Sequence, residues 1–144
     1  MKTILIFVFL VLGCVAHAQD LAASALKRMT DTPYFAFGGV GRAGQTSKGE
    51  IDFHVLMAQP TEAALRSFEK LYATGNAEAK AYALAGIREL NPEEFNQLVE
   101  SIQNSSQQVT TMGGCIVRHR LLTEIAADLK SGTYDDRMLH WRLR

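Results

Sequence analysis

Apolar residues recur at intervals of three and four along most of the chain between residues 20 and 104, and the pattern changes after residue 108. Leu21, Ala22, Ala25, Leu26 and Met29 share this spacing and predict a short first helix. Thr30-Asp31-Thr32-Pro33 ends it, because the residue before a proline is pushed out of helical conformation. Tyr34 to Phe37 is aromatic and apolar, which fits a short strand or an extended segment laid on the core. A glycine-rich loop follows, and its far end carries a helix-start signal. Ser47-Lys48-Gly49-Glu50 has the form of a capping box, with a serine hydroxyl to accept from the amide three residues on and a glutamate to reach back. The apolar run from Ile51 to Met57 then predicts a second helix, closed by Pro60.

Thr61 to Ala73 places Ala64, Leu65, Phe68, Leu71 and Tyr72 on one face, with Gly75 as terminator and Asn76 as the next cap. Ala77 to Leu90 is rich in alanine and marks a face with Ala81, Leu84, Ala85, Ile87 and Leu90. Small residues let helices approach closely, so this helix is expected to be central. Asn91-Pro92-Glu93-Glu94 combines a capping Asn, a proline at the first helical position and acids in the first turn. Phe95, Leu98, Val99 and Ile102 form the stripe of the helix it opens, and 104–108 is a polar loop. Val109 to Val117 breaks the helical period with β-branched residues around Gly113-Gly114 and predicts an extended or hairpin-like segment. Leu122, Ile125, Ala126 and Leu129 return to helical spacing until Gly132, and Tyr134 to Arg144 reads as a short or frayed helix. The fold class expected is mainly α: a small antiparallel helical bundle with one extended or β segment near 109–117.

The pair at 61–90, helix, tight turn and alanine-rich helix, resembles one unit of a HEAT-type α-solenoid. The chain is also similar to a group of uncharacterised exported bacterial proteins in F-G-G-V-G at 37–41, "AYALAGIREL" at 81–90 and "TMGGCIV" at 111–117. That similarity implies export and brings no functional residues with it.

The first 18 residues change the picture of where the protein works. Lys2, an apolar run from Ile4 to Val15 and Ala16-His17-Ala18 have the layout of a secretory signal. The run is short against the about 20 residues that span a bilayer. An uncleaved anchor is one alternative, and lipoprotein processing at Val11-Leu12-Gly13-Cys14 is another. Residues 19–144 are then one exported, periplasmic or secreted domain. The whole chain has 15 Lys and Arg against 15 Asp and Glu, so loss of Lys2 leaves a formal charge near −1. That balance argues against nucleic acid or anionic lipid as the main partner, since both are held by excess Lys and Arg.

Beyond residue 18 the only cysteine is Cys115. It is expected to be buried as a small hydrophobe, with an intermolecular disulfide and a reactive thiol as alternatives. His119 lies four residues on, and Arg118 and Arg120 flank it. On a helix Cys115 and His119 would share a face as a thiolate pair, whereas on a strand they stand about 13 Å apart. The loop from Gly39 spells G-x-x-x-x-G-Q-T, which lacks the lysine of a P-loop at Gln45 and has no parallel sheet expected behind it. It reads as a turned connection that lets Phe35 and Phe37 pack, although its amides, with Arg42, could meet an anion. His54, between Glu50 and Asp52 in sequence, is expected on an ordinary exposed face, and no histidine has metal-ligand spacing. Met138, Leu139, Trp141 and Leu143 alternate with Arg137, Arg142 and Arg144, a basic-aromatic end that suits a membrane surface or a partner, or packs back on the helices.

No catalytic residue and no cofactor is expected. The residues marked for interaction or reactivity are Cys115, His119, Arg42 and Trp141. The function expected is a non-enzymatic binding or structural module of the cell envelope, facing another envelope protein, with membrane contact through a lipid on Cys14 or through the tail. The alternative is a thiol-dependent enzyme or redox-responsive protein using Cys115.

Overall fold

The computed structural model describes residues 19–139. The export sequence read over 1–18, Cys14 within it and Trp141 in the tail lie outside those residues. The elements run α1 (19–29), β1 (Gly39–Val40), β2 (Gln45–Thr46), α2 (Lys48–Met57), α3 (Thr61–Thr74), α4 (Ala77–Leu90), α5 (Pro92–Ser101), β3 (Gln108–Gly113), β4 (Ile116–Leu121), α6 (Leu122–Lys130) and α7 (Asp135–Leu139). The fold is mainly α with a minor β part, as the periodicity predicts.

The helix starts are where the sequence puts them. Asn76 and Asn91 accept from the amides of Ala79 (2.8 Å) and Glu94 (3.3 Å), satisfying donors that a helix N-terminus leaves open. Helices α3 and α4, joined by Gly75 and Asn76, form a helical hairpin in which Phe68 lies directly on Gly86. Helix α4 is the centre of the molecule. Ala79 and every residue from Ala81 to Ile87 are buried, and the helix contacts α2, α3, α5, α6 and β3. Its small residues allow that enclosure. Leu21, assigned to an apolar face by spacing, and Ile51, the first residue of the apolar run, are instead exposed.

Strands β3 and β4 form an antiparallel hairpin with Gly113 opposite Ile116, which leaves Gly114 and Cys115 as a two-residue turn. Gly114 has φ +56°, the conformation such a turn asks of its first residue and one that glycine adopts without strain. The short ladder β1–β2 pairs Gly39 with Thr46 and Val40 with Gln45. The two ladders are linked. Phe35 bridges Thr111 and Val40 bridges Gly114, both parallel, through bonds that include Phe35 N–H to Thr110 O (2.8 Å) and Gly41 N–H to Gly114 O (2.7 Å). Residues 35–40 thus flank β3 on the side away from β4. They also deliver Phe35 and Phe37 to an edge-to-face cluster with Phe53, Tyr82 and Tyr134, with ring centroids 4.8 to 5.4 Å apart in the closest pairs. Each such contact contributes about 0.5–1.5 kcal/mol beyond the area it buries.

Candidate functional site

The glycine loop and the β3–β4 hairpin, far apart in sequence, meet at Gly114. Its N–H donates to Gly39 O (3.0 Å) while its carbonyl accepts from Gly41 N–H (2.7 Å). This docks the four-residue turn at 41–44, with exposed Arg42, beside the hairpin tip. The tip presents exposed Cys115, and the apolar side chains of Ile116 and Val117 are 57% and 55% exposed.

The structure corrects the expectation that Cys115 is buried: a residue at the second position of a two-residue turn projects from the sheet and has no core to enter. It also does not assemble a Cys115–His119 pair. His119 sits along β4 opposite Thr110, with its Nδ1 3.5 Å from the Thr110 hydroxyl. Residues 39–46 close a β-hairpin instead of wrapping phosphate-binding amides around a helix start. The N-terminus of α2 is instead capped by Ser47 Oγ, which accepts from Glu50 N–H at 3.0 Å.

The capping box is only half formed. The Glu50 carboxylate does not return to Ser47; its Oε2 accepts from Gly38 N–H at 2.9 Å, where Gly38 has φ +94°. Glu50 and Asp52 are each 4% exposed, and His54 is half-buried with its Nε2 4.0 Å from Glu50 Oε1. The expected exposed face at 50–54 is therefore a buried polar seam. Asp52 is neutralised by Arg28, which reaches it with two guanidinium nitrogens, the shorter contact at 2.5 Å. Burial pushes the Glu50 carboxyl above the usual range, opposed by the Gly38 amide and by Arg137. Burial lowers His54 to about 4, so it is neutral at physiological pH. Deeper still, the Tyr82 hydroxyl donates to Ala36 O (2.8 Å), accepts from Ala36 N–H (3.0 Å) and lies 3.2 Å from Ser47 Oγ. Burial raises the Tyr82 pKa well beyond its ordinary value, so the phenol stays protonated.

Alternation along β4 puts Ile116, Arg118 and Arg120 on one face and Val117, His119 and Leu121 on the other. The first face opens into a cleft of about 390 Å³ between the hairpin and the 133–137 segment. Phe37 and Tyr134 form aromatic parts of its wall, and Thr111, Thr133, Asp128, Arg118, Arg120 and Arg137 its polar parts. Arg120 is tied to Asp128 (2.6 Å) and Glu124 (3.5 Å). Arg137 reaches back to Phe37 O at 3.5 Å with its stem over Gly38. Sequence reading missed this cleft, since it joins residues from four separate segments. The available signal was the β4 alternation, which places two arginines on one face once a turn at Gly114-Cys115 is recognised.

No group of three or more His, Cys, Asp and Glu side chains comes together to hold a metal among the described residues. No helix among them is long and apolar enough to cross a membrane. Comparison with protein-family models, with curated proteins and with solved structures gives no match.

Proposed function

We propose that the protein is an exported, non-enzymatic binding or structural module of the cell envelope, and that it meets another envelope protein through the tip formed by Arg42, Cys115, Ile116 and Val117. The observation that carries this reading is the hydrogen bonding of Gly114 to Gly39 and Gly41, which joins two loops at the hairpin tip, where Ile116 and Val117 are exposed on either side of β4. Apolar side chains in contiguous exposed patches are a mark of interaction surfaces. Export rests on the character of residues 1–18. A lipid on Cys14, or the basic tail with Trp141, would add a membrane contact to the same assembly.

A photo-crosslinking side chain at position 117, with a second at Lys70 on α3 as a distant control, tests the reading in the native envelope. One discrete adduct from 117 and none from 70 is expected. Identical patterns from both positions would overturn it, as would no adduct together with turnover of a small molecule by the purified protein.

The exposure of Cys115 favours one second reading, a thiol-dependent or redox-responsive protein. A Cys115→Ser variant that keeps the adduct and every phenotype removes that reading.

A further inference from the structure

The cleft inside the β3–β4 hairpin holds more positive charge than the fold uses. Arg28, Arg88 and Arg120 each place a guanidinium nitrogen 2.5 to 2.6 Å from a carboxylate, that of Asp52, Asp135 and Asp128 respectively. Arg118 and Arg137 form no ion pair among the described residues, yet both line the cleft with Arg120. The one carboxylate among the described residues that line the cleft, Asp128, is already bonded to Arg120. Arg118 therefore faces a concave site with no carboxylate partner among the described residues, and Arg137 joins it there with the buried Glu50 as its nearby counter-charge. Planar guanidinium forks match carboxylate and phosphate oxygens in pairs, which makes arginine suited to this task.

The size and the walls narrow the class further. A cleft of about 390 Å³ falls within the range of small-molecule sites, about 300–1,000 Å³. Inorganic phosphate or acetate would leave most of it to water. Ile116 at the rim and Phe37 and Tyr134 in the wall offer apolar contact beside the cations. We propose that the cleft binds a small organic oxyanion: a carboxylate or phosphate monoester held by Arg118 and Arg137, attached to an apolar or aromatic body that rests on Ile116, Phe37 and Tyr134. The site lies on the opposite side of β4 from Val117 and meets the tip at Ile116, so it adjoins the surface proposed to face a protein.

The test is a titration of the 15N-labelled protein followed by amide shifts at Thr111, Gly113, Arg118 and Thr133. The probes are 1-naphthyl phosphate, 2-naphthylacetate, neutral 2-naphthalenemethanol and inorganic phosphate. Saturable shifts with at least one charged naphthyl probe are expected, and the choice between the two reports whether phosphate or carboxylate is preferred. The neutral alcohol and inorganic phosphate should each bind at least about tenfold more weakly, as should Arg118→Gln and Arg137→Gln variants toward the preferred probe. Arg66→Gln, on α3 away from the cleft, should bind as the parent does. Arg118 is exposed and carries no ion pair, so the fold does not depend on it, and Arg118→Lys should retain intermediate affinity. The proposal is overturned if neither charged naphthyl probe saturates, if the alcohol or inorganic phosphate binds as tightly, or if the two glutamine variants bind like the parent.

Discussion

The hydroxyl of Tyr82 takes both the amide and the carbonyl of Ala36, at 3.0 and 2.8 Å, and so stands in for a strand partner where residues 35–37 run through the core. Backbone polar groups buried without partners are costly, and here a side chain from the central helix supplies both bonds. Tyr82→Phe keeps the ring packing but orphans the Ala36 N–H and weakens the hold on Ser47. It should lower unfolding stability by about 1–3 kcal/mol, measured by urea denaturation. A loss indistinguishable from zero would mean that Ala36 finds another partner.

Close approach at Gly86 predicts a substitution that defies helix propensity. Alanine is favoured over glycine within a helix by about 1 kcal/mol. A Cβ at position 86 would, however, lie 2.5 Å from the Phe68 ring, in the core contact of α3 and α4. Overpacking of this kind costs about 1–3 kcal/mol, so Gly86→Ala should be net destabilising. Gly113→Ala, where nothing lies within 4 Å, should leave the thermal midpoint close to that of the parent.

His54 should make stability depend on pH. Its folded pKa is lowered to about 4 from an ordinary value of 6.5, so the unfolded chain takes up the proton first on acidification. The stability it contributes is complete above pH 6.5 and is lost as pH falls from 6.5 towards 4, by roughly 2–3 kcal/mol in total. Glu50 acts in the opposite sense: its raised pKa favours the folded state at low pH, and that advantage fades as pH rises through the folded value. Denaturation across pH 4 to 7 should therefore show a decline towards acid that His54→Leu reduces. An unchanged slope in that variant would assign the decline elsewhere.

Cys115 should behave as an open thiol. Placed in the hairpin turn and exposed, it should react in the native protein at a rate within about tenfold of that in urea-unfolded protein, read with a chromogenic disulfide reagent. Much stronger protection in the native state would mean that the tip is covered. Intact mass without reductant would then show whether a second thiol covers it.

Much of the helical frame was legible in the sequence because its signals are local. Asn76, Asn91 and Ser47 cap helices through amides three residues away, contacts that need no distant partner. The extended segment at 109–117 was legible for the same reason, from β-branched runs on either side of a glycine, although the strand runs on to Leu121, beyond the expected end. The seam at Glu50, Asp52 and His54 was not. Three polar residues in five look solvated, and the partners of Glu50 and Asp52 come from Gly38 and Arg28, positions that only the folded chain brings together. The cleft was hidden likewise: Arg118 and Arg120 were visible beside Cys115, but their counterpart Arg137 arrives from the far side of α6.

The bonds from Gly114 to Gly39 and Gly41 also set an order of assembly. The hairpin of α3 and α4 closes through two residues, whereas these bonds must bring the chain around from one end of the domain to the other, and contacts of long sequence separation form late because the entropy of closing the loop comes first. The tip and the cleft beside it are thus expected to complete late in folding. Loss of the 35–41 segment from its place beside β3 would leave the hairpin tip without its second loop, so the recognition proposed for that face would depend on the whole domain being folded.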